Sequence, residues 1–285
     1  MAPEIEEKEN RDCSRRSILT GSAALLGGIA IGGAAFAATA PAKDAKDAKA
    51  VVAPPPLPWQ WAKLDPLEIG RQSYRNYHIA GCGHATYMAF LSALREKVGY
   101  PWTTLPDMMM VHAGAGYGGH GTLCGALGGT ALIINLVTFK EKDVIFQQII
   151  DRLFYWYAEQ EFPPERFDDI SSMPKQIKVK AKTPLCHTSV SSWTMAAGEK
   201  VSSKAKKERC GKVAGEVAYV TTLALNEYFD GKWTPPVWKP SKEIEHCAQC
   251  HGPDDMFQTK EGMNHQQGHM ECLMCHDDHT RTVKK

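Results

Sequence analysis

The sequence lacks an excess of charge of either sign. Lysine and arginine number 33 and aspartate and glutamate 32, so the formal net charge is +1 over 285 residues. Nucleic-acid-binding chains usually carry a clear basic excess, so the composition indicates no such partner. An apolar content of 43% is ordinary for a globular protein, and the length allows one large domain or two.

Long, strongly apolar runs are also missing. The weakly apolar stretch near the N-terminus follows Arg15-Arg16, consists mainly of Gly and Ala, and reaches the small-residue site Ala38-Thr39-Ala40. This arrangement is typical of a twin-arginine export signal, with a retained membrane anchor as the alternative. We therefore predict a signal peptide over residues 1–40, delivery to the periplasm, and an Ala/Lys/Pro-rich flexible linker over 41–58.

Strand signals are scarce, whereas helical periodicity recurs. Ile145, Ile149, Leu153, Trp156 and Tyr157 share one stripe, and residues 85–98, 125–137 and 212–229 show similar spacing. The sequence therefore predicts a mainly α fold with two parts. These are a helical domain at 59–232 and, after a Pro-rich break, a small irregular C-terminal segment at 241–285.

This C-terminal segment is short of apolar side chains. Cysteines aside, only nine apolar residues are scattered over its 45 positions. They cannot offset an ordering entropy of about 1.5 kcal/mol per residue. The same segment holds four of the nine cysteines and six of the eleven histidines. We therefore expect a bound group to supply its core.

Two copies of the pattern CxxCH occur there, CAQCH at 247–251 and CLMCH at 272–276. Both thiols of this motif attach a c-type haem covalently, and the histidine is the proximal iron ligand. A zinc ribbon is the alternative, but it leaves the histidine after each cysteine pair unexplained. The sequence thus predicts two haems c, attached through Cys247, Cys250, Cys272 and Cys275, with His251 and His276 as proximal ligands.

Each haem iron needs a sixth ligand, and several histidines are available nearby. Two imidazoles hold iron at low potential, whereas a Met/His pair raises it. We predict bis-His coordination, with His265 and His269 as distal ligands and His279 in reserve. His246 is expected to be a solvated side chain because it abuts an attachment cysteine.

Four further cysteines lie in the helical body: Cys82, Cys124, Cys186 and Cys210. Each is predicted to stand at a helix start, where the positive dipole end stabilises a thiolate. Four such ends converging would form a site for an iron–sulfur cluster. Two disulfides are the alternative in an oxidising compartment, and spacing alone leaves both open. His187 is an alternative cluster ligand.

A glycine-rich run and two basic runs are two further patterns in the helical body. The run GAGYGG at 114–119 matches GxGxxG, but no βαβ unit is predicted around it, so we expect its glycines to bring backbone close to the cluster or a neighbouring helix. The basic runs KQIKVKAK and KAKKERCGK flank Cys186 and Cys210. They would offset an anionic cluster or steer an acidic redox partner.

The order of these features resembles a known family. The dipeptide GC at 81–82, the run GGHGTLCGALGGTAL at 118–132 and two later single cysteines resemble the redox-active family with the pattern C_GCAxxG_C_C. With two CxxCH motifs behind it and an export signal in front, the sequence is similar to the split-Soret cytochrome c family over roughly residues 70–285. One departure is that Cys124 stands in LCGALGG rather than GCAxxG.

The resemblance implies a homodimer with two closely stacked haems per chain, whose distal histidines cross from the other subunit. It also implies a non-haem iron–sulfur centre, 2Fe–2S or of other nuclearity, with Cys82, Cys124, Cys186 and Cys210 as ligands. The function expected is an electron carrier that serves redox partner proteins and has no small-molecule substrate. The alternatives are a small reductase with an open haem position and a zinc-stabilised structural module.

Overall fold

The computed structural model describes residues 53–235, 239–252 and 270–280. Residues from Pro54 to Lys285 group as one compact unit. Several predictions lie outside the described residues: the signal peptide and its cleavage site, nearly all of the linker, and the distal ligands His265 and His269. The predicted domain boundaries therefore stay predictions.

The described residues form a mainly helical structure, which confirms the predicted fold class. Two short 3₁₀ turns, Trp102–Thr104 and Val111–Ala113, follow the first helix. Strand β1 (Glu161–Phe162) pairs antiparallel with β2 (Val179–Lys180). The six α-helices of the described part are α1 (Pro66–Lys97), α2 (Gly125–Thr138), α3 (Ile145–Glu159), α4 (Cys186–Ala197), α5 (Lys204–Phe229) and α6 (Lys242–His251).

Helix α1 is two helical segments joined by a kink. It begins with Pro66 at its first position, and the Asp65 side chain accepts a hydrogen bond from the Glu68 N–H. At the kink Ala80 and Gly81 leave helical geometry, and Gly81 has φ +84°, which favours glycine. A second helical segment therefore starts at Cys82, three residues before the start of the helix predicted at 85–98.

The core lies where α1 packs along α5 and against α2. Small residues bring α1 and α5 together: a Cβ on Gly70 would lie 3.0 Å from the Gly215 carbonyl oxygen and 2.8 Å from Phe167 Cζ. The large, fully buried apolar side chains of this core include Tyr87, Phe90, Leu91, Leu94, Trp102 and Leu127.

Helix α3 confirms the predicted apolar stripe, since Ile149, Leu153 and Tyr157 are all buried. It ends at Glu159, four residues before the Pro163-Pro164 pair. The reason is that Glu161–Phe162 leave the helix to pair with Val179–Lys180. Helix α2 confirms the helix predicted at 125–137 almost residue for residue.

Helix α5 begins eight residues before its predicted start at Lys212. Its cap is Ser203, whose side chain accepts a hydrogen bond from the Lys206 N–H. The prediction missed the first two turns because Glu208 and Arg209 are buried there through polar contacts, which leave no apolar period. The expectation that Cys210 opens a helix is therefore wrong: Cys210 lies in the second turn of α5.

The C-terminal segment contributes helix α6 and a turn at 270–280. Ser241 caps α6, and Ile244 and Ala248 are its buried residues. Two hydrogen bonds join the turn to α6: Ser241 Oγ donates to Glu271 Oε2 at 2.9 Å, and the Leu273 N–H donates to Glu243 Oε1 at 2.6 Å. Among the described residues no helix combines the length and the apolar character that crossing a membrane requires.

Candidate metal centre

The four cysteines of the helical body line one cavity of about 460 Å³. Each comes from a different element: Cys82 from the segment after the α1 kink, Cys124 from the N-cap of α2, Cys186 from the first residue of α4, and Cys210 from α5. All four are free thiols. The prediction that these residues, far apart in sequence, come together thus matches their placement.

Backbone hydrogen bonds hold the starts of α2 and α4 side by side. The Cys124 N–H donates to the Pro184 carbonyl at 2.9 Å, and the Cys186 N–H donates to the Thr122 carbonyl at 2.7 Å. Leu123 and Leu185 form an isolated antiparallel bridge between these bonds. We call these paired segments, residues 122–124 and 184–186, the backbone clasp. The clasp brings two cysteines to one edge of the cavity.

The glycine after Cys124 lets the first cysteine approach. A Cβ at Gly125 would lie 2.7 Å from Cys82 Sγ and would also meet the Ala113 carbonyl. Any larger residue at this position would push Cys82 away from Cys124. The Cys-Gly pair at 124–125 is therefore a packing requirement of the site.

The glycine-rich run at 114–119 belongs to the cavity wall. Gly114, Ala115, Gly119 and the nearby Gly121 line it. The residues just before the run form the 3₁₀ turn Val111–Ala113 rather than a strand. A dinucleotide loop requires a strand there, so the described structure supports the expectation that this loop serves the cavity instead.

The thiols interact strongly with one another. The Cys82 thiol, through a hydrogen bond, lowers the pKa of Cys124 to about 6, and the Tyr157 hydroxyl, the Ala126 N–H and the Arg209 cation act in the same direction against the effect of burial. The pKa of Cys82 is raised because its thiol donates to Cys124 and is buried. Burial and the charges of Cys124 and Cys210 raise the pKa of Cys186 to about 12.

It follows that the thiols of Cys82 and Cys186 favour the protonated form, and that further thiolates would need compensating positive charge. A metal centre supplies that charge, because metal binding displaces the protons of cysteine ligands. The donor set is therefore chemically suited to a thiolate-bound metal.

A buried guanidinium reaches the same cavity. Arg209 is 1% exposed, and its Nη2 donates to Ser189 Oγ at 2.7 Å while Nη1 lies 3.8 Å from Cys210 Sγ. Its Nε is buried without a hydrogen-bond partner. None of the ion pairs among the described residues includes Arg209, and its charge interactions are with Cys210, Tyr157 and Cys124.

Two tyrosines complete the polar surroundings of the cavity. The Tyr157 hydroxyl lies within hydrogen-bonding reach of the Ser189 hydroxyl, at 2.9 Å, and of the Cys124 thiol. Tyr77 hydrogen-bonds with Cys210. Burial raises the pKa of both phenols, so both are neutral donors at physiological pH.

Sequence reasoning missed both tyrosines and did not single out Arg209. Tyr157 was assigned to the apolar stripe of α3, which it also occupies, and nothing in its spacing points to a thiol. Arg209 belongs to the basic run KAKKERCGK that was expected to offset an anionic cluster, but the sequence does not distinguish it from the exposed cations of that run. His187 lines the cavity as the sequence analysis allowed, but its side chain is exposed.

Among the described residues, no group of three His, Cys, Asp or Glu side chains is placed so that it could hold a single metal ion.

The two CxxCH motifs lie side by side in the tail. Cys247, Cys250 and His251 are on α6, whereas Cys272, Cys275 and His276 are in the turn at 270–280. The thiols of Cys247 and Cys272 are within hydrogen-bonding reach, and burial followed by the Cys247 charge raises the pKa of Cys272 to about 11. Cys250, Cys275 and His276 are exposed.

The reserve ligand His279 lies beside a proximal one. The ring centroids of His251 and His279 are 5.8 Å apart, with their planes at 88°. His246 is exposed, as expected, and its Nε2 is 2.9 Å from Thr280 Oγ1.

Comparison with known proteins gives a consistent assignment. Residues 85–223 match the family model described as "Putative redox-active protein (C_GCAxxG_C_C)". This match includes Cys124, Cys186 and Cys210, and Cys82 lies three residues before it.

The chain is also similar to the split-Soret cytochrome c of Desulfovibrio desulfuricans (strain ATCC 27774 / DSM 6949 / MB). The two are 29% identical over 288 residues, which covers 95% of this chain and 97% of the relative. A solved structure described as "A novel iron centre in the split-Soret cytochrome c from Desulfovibrio desulfuricans ATCC 27774" superposes with a TM-score of 0.67 at 27% identity. That match covers 77% of this chain and 90% of the other. The resemblance inferred from the sequence is thus confirmed.

Proposed function

From the similarity of this chain to the split-Soret cytochrome c of Desulfovibrio desulfuricans, we propose that it is a redox protein of the periplasm that carries electrons through two c-type haems and an iron–sulfur centre. One observation carries the iron–sulfur part. Four cysteines from four separate elements line a single cavity, and the buried cation Arg209 faces them with no carboxylate partner in the described part of the chain.

The buried cation favours metal-bound thiolates over disulfides. Two disulfides would be neutral and would leave the charge of Arg209 buried without compensation, which is strongly unfavourable. Thiolates in a metal centre carry the negative charge that this guanidinium requires. We therefore assign Cys82, Cys124, Cys186 and Cys210 as ligands of a polynuclear iron–sulfur centre, with His187 as an alternative ligand. When bound, such a centre exchanges one electron at a time.

The tail would hold two haems close together. Cys247 and Cys272 begin the two attachment motifs and are in contact, so groups attached through them must be neighbours. His251 and His276 are the proximal ligands in this proposal. The remaining distal candidates are His265, His269 and His279.

The position of His279 supports its candidacy. The ring centroids of His251 and His279 lie 5.8 Å apart, so the two imidazoles are near enough to each other that both could bind one haem iron. In a homodimer, which we also propose, the distal histidine would come from either subunit.

The export route fits the different needs of the two regions. The body can fold around its centre in the cytoplasm, and twin-arginine export carries folded domains, whereas the apolar-poor tail stays accessible for haem attachment afterwards. Replacing Arg15-Arg16 with two lysines should therefore abolish centre-loaded periplasmic protein. Normal export of complete protein by this variant would contradict the route.

A small haem reductase is the competing function. An electron carrier with bis-His haems has no open iron position, whereas a reductase needs one for its substrate. The spin state of the haem iron separates the two, since six-coordinate bis-His haem is low-spin.

The deciding experiment is an optical spectrum of the purified periplasmic protein, oxidised and reduced, with haem, iron and acid-labile sulfide measured on the same sample. We expect two low-spin haems per chain, iron in excess of haem, and sulfide. High-spin haem would favour the reductase. Iron equal to haem, with no sulfide, would return the four body cysteines to disulfides.

A further inference from the structure

We propose that Arg209 is the buried counter-charge of the four-cysteine centre, beside the more exposed Lys206 at the same cavity, and that it raises the reduction potential of that centre. The inference rests on the proposed iron–sulfur centre and deepens it by assigning a positioning residue outside the ligand set.

The guanidinium is fixed from several sides. Helix α5 places Arg209 next to Cys210, and Nη2 is anchored on Ser189 Oγ of α4 at 2.7 Å. The Phe162 ring lies under the guanidinium, 5.9 Å from its central carbon. With these contacts made, Nη1 faces Cys210 Sγ at 3.8 Å and the buried Nε–H has no partner.

A second buried cation on α5 shows what is unusual about Arg209. Lys212 has a side chain with 0% exposure, and its Nζ lies 2.5 Å from Asp168 Oδ1, so this ammonium has an anion of its own. The neighbouring Glu208 is engaged elsewhere, by the hydroxyls of Tyr74 and Ser171. For Arg209 the anionic groups at hand are therefore the thiolates of the cavity.

A fixed cation in this position acts on electron transfer. Arginine keeps its charge under all physiological conditions. Reduction adds one negative charge to the centre, and hydrogen bonds to sulfur together with nearby positive charge favour the reduced form. The low dielectric of a buried site strengthens the effect. The free Nε–H and Nη1–H are the donors available to sulfur.

The test uses the full-length, haem-loaded protein and three variants. Arg209→Gln removes the charge, Arg209→Lys keeps a charge at this position, and Lys207→Gln removes one exposed positive charge from the same helix as a matched control. Non-haem iron and acid-labile sulfide give the content of the centre. A potentiometric titration followed by electron paramagnetic resonance gives its potential, and the haem spectra provide an internal reference.

At a fixed ambient potential we expect Arg209→Gln to raise the ratio of oxidised to reduced centre about tenfold or more, which is about 59 mV for one electron. Arg209→Lys and Lys207→Gln should change it by less than about threefold. Loss of the centre from Arg209→Gln, with retention in Arg209→Lys, would also support the proposal. An unchanged potential in Arg209→Gln, or equal loss in both Arg209 variants, would overturn it.

The same measurements distinguish failure of the iron–sulfur assignment from failure of the role proposed for Arg209. If the unmodified protein contains no sulfide and no iron beyond its haem, the iron–sulfur assignment fails before any variant is compared, and the role of Arg209 falls with it.

Discussion

The helical body and the C-terminal tail build their sites in opposite ways. In the body, four cysteines from separate elements meet in a cavity whose walls are already packed. In the tail, each site is a run of five residues, and only Ile244 and Ala248 are described as buried in α6. The body therefore makes its site by folding, whereas the tail needs its cofactor in order to acquire a core.

The largest effect should follow from removing a ligand in the body. Cys124→Ser removes the most buried of the four thiols, the one that interacts with Cys82, Tyr157 and Arg209. The loss of iron affinity should exceed the roughly 10–100-fold typical of losing an outer partner of a metal ligand. Non-haem iron and sulfide should disappear, while both haems remain attached.

Haem and non-haem iron measured per chain would check this result. Retention of full non-haem iron by Cys124→Ser would mean that the body site is not held by this cysteine. Loss of haem as well would show that the two regions depend on each other more than the comparison allows.

Removing the attachment cysteines of one haem motif tests the tail in the same way. Replacing Cys247 and Cys250 with alanine should remove one covalent haem and leave the tail accessible to proteases, because its few apolar residues cannot order it alone. Limited proteolysis should cut after residue 232 at least about tenfold faster, while the body keeps its helicity and its non-haem iron. Unchanged resistance to cleavage would show that the tail has a sufficient core without this haem.

A packing change in the body should have an intermediate effect. Gly125→Ala places a methyl group 2.7 Å from Cys82 Sγ, and overpacking of this kind costs about 1–3 kcal/mol of unfolding free energy. In Gly211→Ala, beside Cys210, the added Cβ lies 3.2 Å from its nearest neighbouring atom, so the loss of unfolding free energy should be smaller. Thermal unfolding and non-haem iron content measure both, and equal effects would contradict the close approach at Gly125.

The smallest effect on the metal centre should come from a change outside its cavity, which acts on stability alone. Asp168→Asn removes the acid partner of the buried Lys212 ammonium and should cost about 2–3 kcal/mol at neutral pH. Burial opposes ionisation of Asp168, but hydrogen bonds from Lys212 and from the Lys175 N–H outweigh it and lower the pKa of this carboxyl.

The pH dependence follows from that direction. Because the pKa of Asp168 is lower in the folded state, its contribution is present above the unfolded value of about 3.9 and is lost as the pH falls through the folded value. Urea unfolding of both proteins should show a difference at pH 7 that shrinks in acid. A difference that stays constant would contradict the ion pair.

The same contrast explains what the sequence could reveal. The CxxCH motifs are local, so their residues follow from spacing alone, and the four body cysteines were found because their type and order are distinctive. Arg209 and Tyr157 could not be found this way, since their roles depend on contacts with Ser189, a residue distant in the chain. The early start of α5 was missed because its buried side chains there are polar.

The backbone clasp has a consequence for how this site tolerates change along the chain. Its hydrogen bonds use main-chain groups of residues 122–124 and 184–186, so the pairing itself does not depend on the side chains of Leu123 and Leu185. Insertion of one residue is different, because it shifts the pairing by one position and turns a cysteine to the opposite face. The clasp thus depends more on the length of these segments than on the side chains at those two positions.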